Sequence, residues 1–100
     1  MNDINLDEKV LVTFCQKWRI CEFALFGSAL RKDFGPHSDV DILVEFEETA
    51  DWDLFDVVDA KAELEGLFGR SVDFIEKDTV KNPLRRKNIL ESMKILYAKK

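Results

Sequence analysis

The sequence predicts a small α/β (α+β) domain of order αβαβαβα, built on a mixed three-stranded sheet flanked by helices. Three observations carry this. Apolar residues recur at helical spacing over residues 6–18, 52–68 and 84–97. Short apolar runs of strand length separate them, at 22–26, from 39 or 40 to 45, and at 71–75. Finally, Gly27-Ser28 closes the first run while Asp39-Val40-Asp41 opens the second, which ties the two strands to one place.

The first helix, 6–18, presents Leu6, Val10, Leu11, Phe14, Cys15 and Trp18 on one stripe. Asn5 is its expected N-cap, with Asp7 and Glu8 in the first turn, where negative charge meets the positive end of the helix dipole. Trp18 reads as a core or rim residue rather than a base-stacking platform. A short helix-compatible piece, 29–33, and a turn, 34–37, join the first two strands. Asp51 is the expected cap of the helix 52–68, and Asp53 falls in its first turn. Leu54, Phe55, Val58, Ala62, Leu64, Leu67 and Phe68 give that helix a broad apolar face, and Gly69 is its C-terminal cap. Asn82-Pro83 is a break. A last helix, 84–97, carries Ile89, Leu90, Met93, Leu96 and Tyr97.

Topology follows from chemistry. Gly27-Ser28 lies at the end of strand one, and Asp39 and Asp41 at the start of strand two. For both to meet one ligand, these strands must run antiparallel. Asp73 sits near the start of strand three, so strands two and three run parallel, with the helix 52–68 as the crossover such a pair needs.

Glycine admits a ligand close to the backbone, and a helix N-terminus offers N–H groups to phosphate. Carboxylates two apart on a strand share a face, and facing a phosphate cradle they can hold Mg²⁺ against a nucleotide. Asp39 and Asp41 are therefore the candidate metal ligands; the plain alternative is an Asx-capped turn entering a strand. Asp41 lies inside an apolar run, where a carboxylate is costly unless it has a partner. Asp73 is the polar residue of SVDFI, and period two aims it away from Val72 and Phe74.

The pattern Gly27-Ser28, Arg31, then Ser38-Asp39-Val40-Asp41 resembles the signature of the minimal nucleotidyltransferase (MNT) branch of the polymerase-β-like nucleotidyltransferase superfamily, and the length and element order agree. The resemblance implies a nucleotide site in which Gly27 and Ser28 bind the β- and γ-phosphates, with Arg31 and Ser38 also in the nucleotide-binding set. Asp39, Asp41 and Asp73 are then catalytic and hold two Mg²⁺ ions, Asp73 helping to deprotonate an acceptor hydroxyl. Lys32 stands where the branch more often has a small residue. The resemblance further implies an antitoxin that transfers AMP from ATP to a hydroxyl, tyrosine in particular, of a partner HEPN ribonuclease toxin. A non-catalytic module that neutralises its partner by contact is the alternative, and transfer to an aminoglycoside a weaker third reading, since no acceptor-binding domain is seen.

The remaining signals bound these readings. One hundred residues make one domain with a modest core. No run approaches the roughly 20 apolar residues of a membrane span, and no N-terminal signal pattern is present, so a cytoplasmic location is expected. Residues 1–80 hold eight basic and 19 acidic groups, a net of −11, whereas residues 81–100 hold seven and one, a net of +6. An acidic body disfavours stable nucleic-acid binding. The basic end could meet an acidic partner or phosphates, or be a solvated helix face. Cys15 and Cys21 form neither a disulfide framework nor a zinc pattern. His37, the single histidine, lies in a polar turn and reads as a solvated side chain rather than a catalytic base. With no other histidine, a serine or cysteine triad is a poor reading.

Overall fold

The computed structural model describes residues 7–27 and 39–99. Within them the order is α1 (Glu8–Lys17), β1 (Ile20–Phe26), β2 (Val40–Phe46), α2 (Leu54–Phe68), β3 (Val72–Glu76), a 3₁₀ turn (Lys77–Thr79), α3 (Pro83–Ser92) and β4 (Lys94–Ala98). The strands form one mixed sheet in the order β3-β2-β1-β4. β1 runs antiparallel to β2, and β2 parallel to β3, as the site required.

The expected three-stranded sheet gains a fourth strand, because the last helix stops at Ser92. Met93 adopts extended backbone (φ −65°, ψ 150°), and β4 then pairs antiparallel with β1. The spacing of Ile89, Leu90, Met93, Leu96 and Tyr97 fits a helix, but the unfilled edge of β1 decides otherwise. Each N–H and C=O along that edge gains a partner when residues 94–98 extend beside it, and local propensity yields to this.

Helix starts also shift. Asp7, not Asn5, caps α1, its carboxylate accepting from Lys9 N–H at 2.8 Å; Asn5 lies outside the described residues. Asp53 and Asp56 form a reciprocal capping box at α2, accepting from Asp56 N–H at 2.9 Å and Asp53 N–H at 3.1 Å. Asp51 and Trp52 therefore stay outside the helix. Trp52 instead packs edge-on against Trp18, ring centroids 5.4 Å apart, and donates to the Trp18 carbonyl. Gly69 is the left-handed cap expected (φ 71°). At α3, Asn82 accepts from Leu84 and Arg85 N–H, and Pro83 occupies the first turn, where no N–H is missed.

The sheet separates two cores. On one face α1 and α2 bury Leu11, Phe14, Cys15, Ala60 and Leu64 against Ile20, Phe23, Leu25, Val40, Ile42, Val44 and Val72. On the other, Ile89 of α3 packs with Phe26, Leu43 and Val80, flanked by Ile75, Leu90 and Met93. Among the described residues no helix is long and apolar enough to cross a membrane.

Phe14 is 2% exposed and meets Phe23 edge to face, whereas Leu84 is 69% exposed. Phe14→Ala should therefore cost about 3–5 kcal/mol, a large share of the roughly 5–15 kcal/mol that holds a domain folded. Leu84→Ala should stay within about 0.5 kcal/mol. Urea unfolding of both variants measures the contrast.

Candidate active site

The start of β2 and the end of β1 converge. Asp41 stands opposite Phe26 in the antiparallel pair and opposite Asp73 in the parallel pair. Alternation decides its face: Val40, Ile42, Val72 and Phe74 belong to the α1–α2 side, so Asp41 and Asp73 take the side of Leu43 and Ile75, facing the α3 layer. Asp41 is half-buried, while Asp73, on the edge strand, and Asp39, one residue ahead of β2, are exposed.

Gly27 ends β1 with φ +59°, in the left-handed region that a side chain disfavours. It is a glycine for a second reason as well. A Cβ there would lie 2.5 Å from Asp41 Oδ2 and 3.3 Å from its Cγ. The backbone bend and the carboxylate thus share one small volume.

One main-chain bond and one side-chain bond hold the start of β3 in place beside β2. Val40 N–H donates to the Ser71 carbonyl at 3.0 Å, and Val72 N–H donates to Glu65 Oε2 at 2.9 Å. Glu65 was not legible as a site residue, because a glutamate on an amphipathic helix is ordinary. Of the expected residues, then, Gly27, Asp41 and Asp73 are brought together, with Asp39 beside them. Ser28, Arg31 and Ser38, along with Lys32, His37 and the short helix 29–33, lie outside the described residues.

Among the described residues no three His, Cys, Asp or Glu side chains form a ready metal cage. The donor set nevertheless suits Mg²⁺, which is commonly held by one or two carboxylates and completes its shell with water and substrate phosphates. At the other end of the sheet the like-charged pair Glu22 and Glu45, also opposite one another, has Lys77 Nζ at 3.2 and 3.7 Å. A divalent cation would do for Asp41 and Asp73 what that ammonium does there. The cysteines take no part: burial pushes the Cys15 thiol up to about 12 and also raises that of Cys21, so both stay protonated at neutral pH.

Gly27→Ala should displace the Asp41 carboxylate and strain the turn, lowering stability by about 1–3 kcal/mol. Gly66→Ala, at a helical position where a Cβ meets nothing, should instead stabilise by about 0.4–1 kcal/mol. Thermal melts of the two variants check the opposite signs.

Comparison with known proteins agrees with this geometry. Residues 7–96 match the model of the nucleotidyltransferase domain family. A Methanocaldococcus jannaschii chain, provisionally named a protein adenylyltransferase, is 39% identical over 79 residues, 78% of each chain. A solved structure provisionally described as a minimal nucleotidyltransferase superposes with a TM-score of 0.71 at 30% identity, covering 87% of this chain and 86% of that one. The fold also matches that of a complex described as a tri-AMPylated Shewanella oneidensis HEPN toxin with its MNT antitoxin (TM-score 0.63, 17% identity, covering 91% of this chain and 69% of that one). With its glycine turn set against paired strand carboxylates, the chain belongs to the nucleotidyltransferase domain family, within the minimal branch of that enzyme class.

Proposed function

We propose that this chain is a single-domain, cytoplasmic antitoxin that transfers AMP from ATP to a hydroxyl, tyrosine in particular, on a partner HEPN-type ribonuclease toxin. The observation that carries the reading is the juxtaposition of Asp41 and Asp73 on one sheet face beside the Gly27 turn. The AMPylated toxin in the Shewanella oneidensis complex gives the acceptor class. The acidic body supports it further, because opposite potentials steer encounter with a basic, RNA-binding surface.

In this reading the Gly27–Ser28 turn receives the β- and γ-phosphates, aided by Arg31 and Ser38. Asp39, Asp41 and Asp73 would hold Mg²⁺, which when bound offsets phosphate charge and favours departure of pyrophosphate. Asp73, exposed on the edge strand, takes the proton of the acceptor hydroxyl. The hydroxyl oxygen bonds to the α-phosphorus as the bond to pyrophosphate breaks, leaving a phosphodiester-linked AMP on the partner. Its negative charge beside the toxin's RNA site repels substrate, and its bulk blocks entry.

The test uses a substoichiometric amount of this protein with the partner, ATP and Mg²⁺, removes it, and then measures ribonuclease activity and partner mass. Persistent inhibition with one or more added AMP masses is expected. Recovery of activity with no added mass would instead favour neutralisation by contact.

Asp39→Asn and Asp41→Asn nearly preserve shape while removing charge from the metal-binding set. Each should lower transfer at least about 100-fold, the scale of a few kcal/mol of lost charge stabilisation. Each should also leave the melting temperature within about 5 °C. Mass analysis of the partner and a thermal melt read the two effects separately.

A further inference from the structure

The peptide group that joins Ser71 to Val72 is held from both sides. Its carbonyl accepts from Val40 N–H at 3.0 Å, on the side of β2. Its N–H points the other way, off the edge of the sheet, and donates to Glu65 Oε2 at 2.9 Å. Glu65 also acts through its main chain, whose carbonyl accepts from Gly69 N–H at 2.8 Å and closes α2. One half-buried residue therefore grips both ends of the three-residue link between helix and strand.

The gripped peptide has a special place. Val72 immediately precedes Asp73, and Val40 lies between Asp39 and Asp41. The chain Val40 N–H, Ser71 C=O, Val72 N–H, Glu65 carboxylate thus runs across the root of the acidic site. A carboxylate acceptor makes a shorter and stronger bond than a neutral one and polarises the peptide behind it, which strengthens that peptide's carbonyl as an acceptor for Val40. Among the described residues β3 is an edge strand paired on one side only. Beyond its ladder with β2 and the packing of Val72 and Phe74, the Glu65 bond is therefore a further hold on its register.

We infer that Glu65 is a positioning residue of the nucleotidyl-transfer site, fixing Asp73 level with Asp41. The inference rests on the proposed reading for what the carboxylates bind, but not for the register that Glu65 sets. Glu65 itself touches no reacting atom. An ordinary helix-to-strand tether would stabilise the fold alone, and the two roles separate experimentally.

The experiment compares the full-length wild type with Glu65→Leu, Glu65→Asp and Glu65→Gln. Leucine removes the acceptor and aspartate, one methylene shorter, withdraws it. Glutamine keeps an oxygen in reach. Amide hydrogen exchange is read at Val40 and Val72 against Phe23, and ATP binding is titrated with and without Mg²⁺. Exchange at Val40 and Val72 should rise about tenfold or more in the leucine and aspartate variants, with Phe23 unchanged. MgATP affinity should fall about tenfold while metal-free ATP binding stays level. Glutamine should stay within about threefold of the wild type on both readouts.

Unchanged exchange at Val40 in the leucine and aspartate variants overturns the inference. Equal loss of ATP binding with and without Mg²⁺ overturns it too, since that marks a purely structural tether. A wild type that binds no MgATP sinks the proposed function instead, and the exchange data then decide the register role alone. If the leucine variant does not fold, the aspartate and glutamine variants carry the same comparison.

Discussion

Two carboxylates of like charge face one another across a parallel strand pair, and the rest of the molecule is arranged to put them there. Parallel neighbours cannot be joined by a tight turn, so the chain must leave β2, cross the sheet and return at the same end. α2 is that crossing. Its ends are set by a reciprocal aspartate cap at the start and a left-handed glycine at the finish, which together fix where residue 72 re-enters the sheet. A helix one residue longer or shorter would set Asp73 on the wrong face, because strand side chains alternate.

The sheet then divides labour between its faces. The larger core, under α1 and α2, lies on the side away from Asp41 and Asp73. The α3 face carries a smaller cluster and the acidic pair together. Burying charge beside the main core would have cost stability unless each carboxylate were paired. On the thinner face they sit half-buried and exposed, close enough to packed residues to be held and open enough to be solvated. The far end of the same face shows the alternative solution, with Lys77 between Glu22 and Glu45.

Much of this was legible because chemistry constrains topology. A glycine after one strand and a carboxylate pair before the next can serve one ligand only if those strands run antiparallel, and Asp73 adds the parallel third. The left-handed turn at Gly69 was legible for the same reason: few residues but glycine fit there. What escaped was β4. Its apolar residues fall at positions that satisfy a helix equally well, and the choice depends on the vacant edge of β1, a partner some 70 residues away that no local pattern records. The cap of α2 escaped more narrowly, since Asp51 and Asp53 are both good caps and only the reciprocal bond with Asp56 separates them.

β4 has one more consequence. Among the described residues it alone covers the outer edge of β1, whose sequence, Ile-Cys-Glu-Phe-Ala-Leu-Phe, is nearly uncharged and of high strand propensity. Stripped of that cover, β1 would become an open, apolar edge, the kind that recruits further strands from other molecules. Residues 94–98 thus cover an edge that would otherwise be open to pairing with other molecules. Any engineering that shortens or overloads the C-terminal segment should show its effect first as insolubility, before any loss of catalytic geometry.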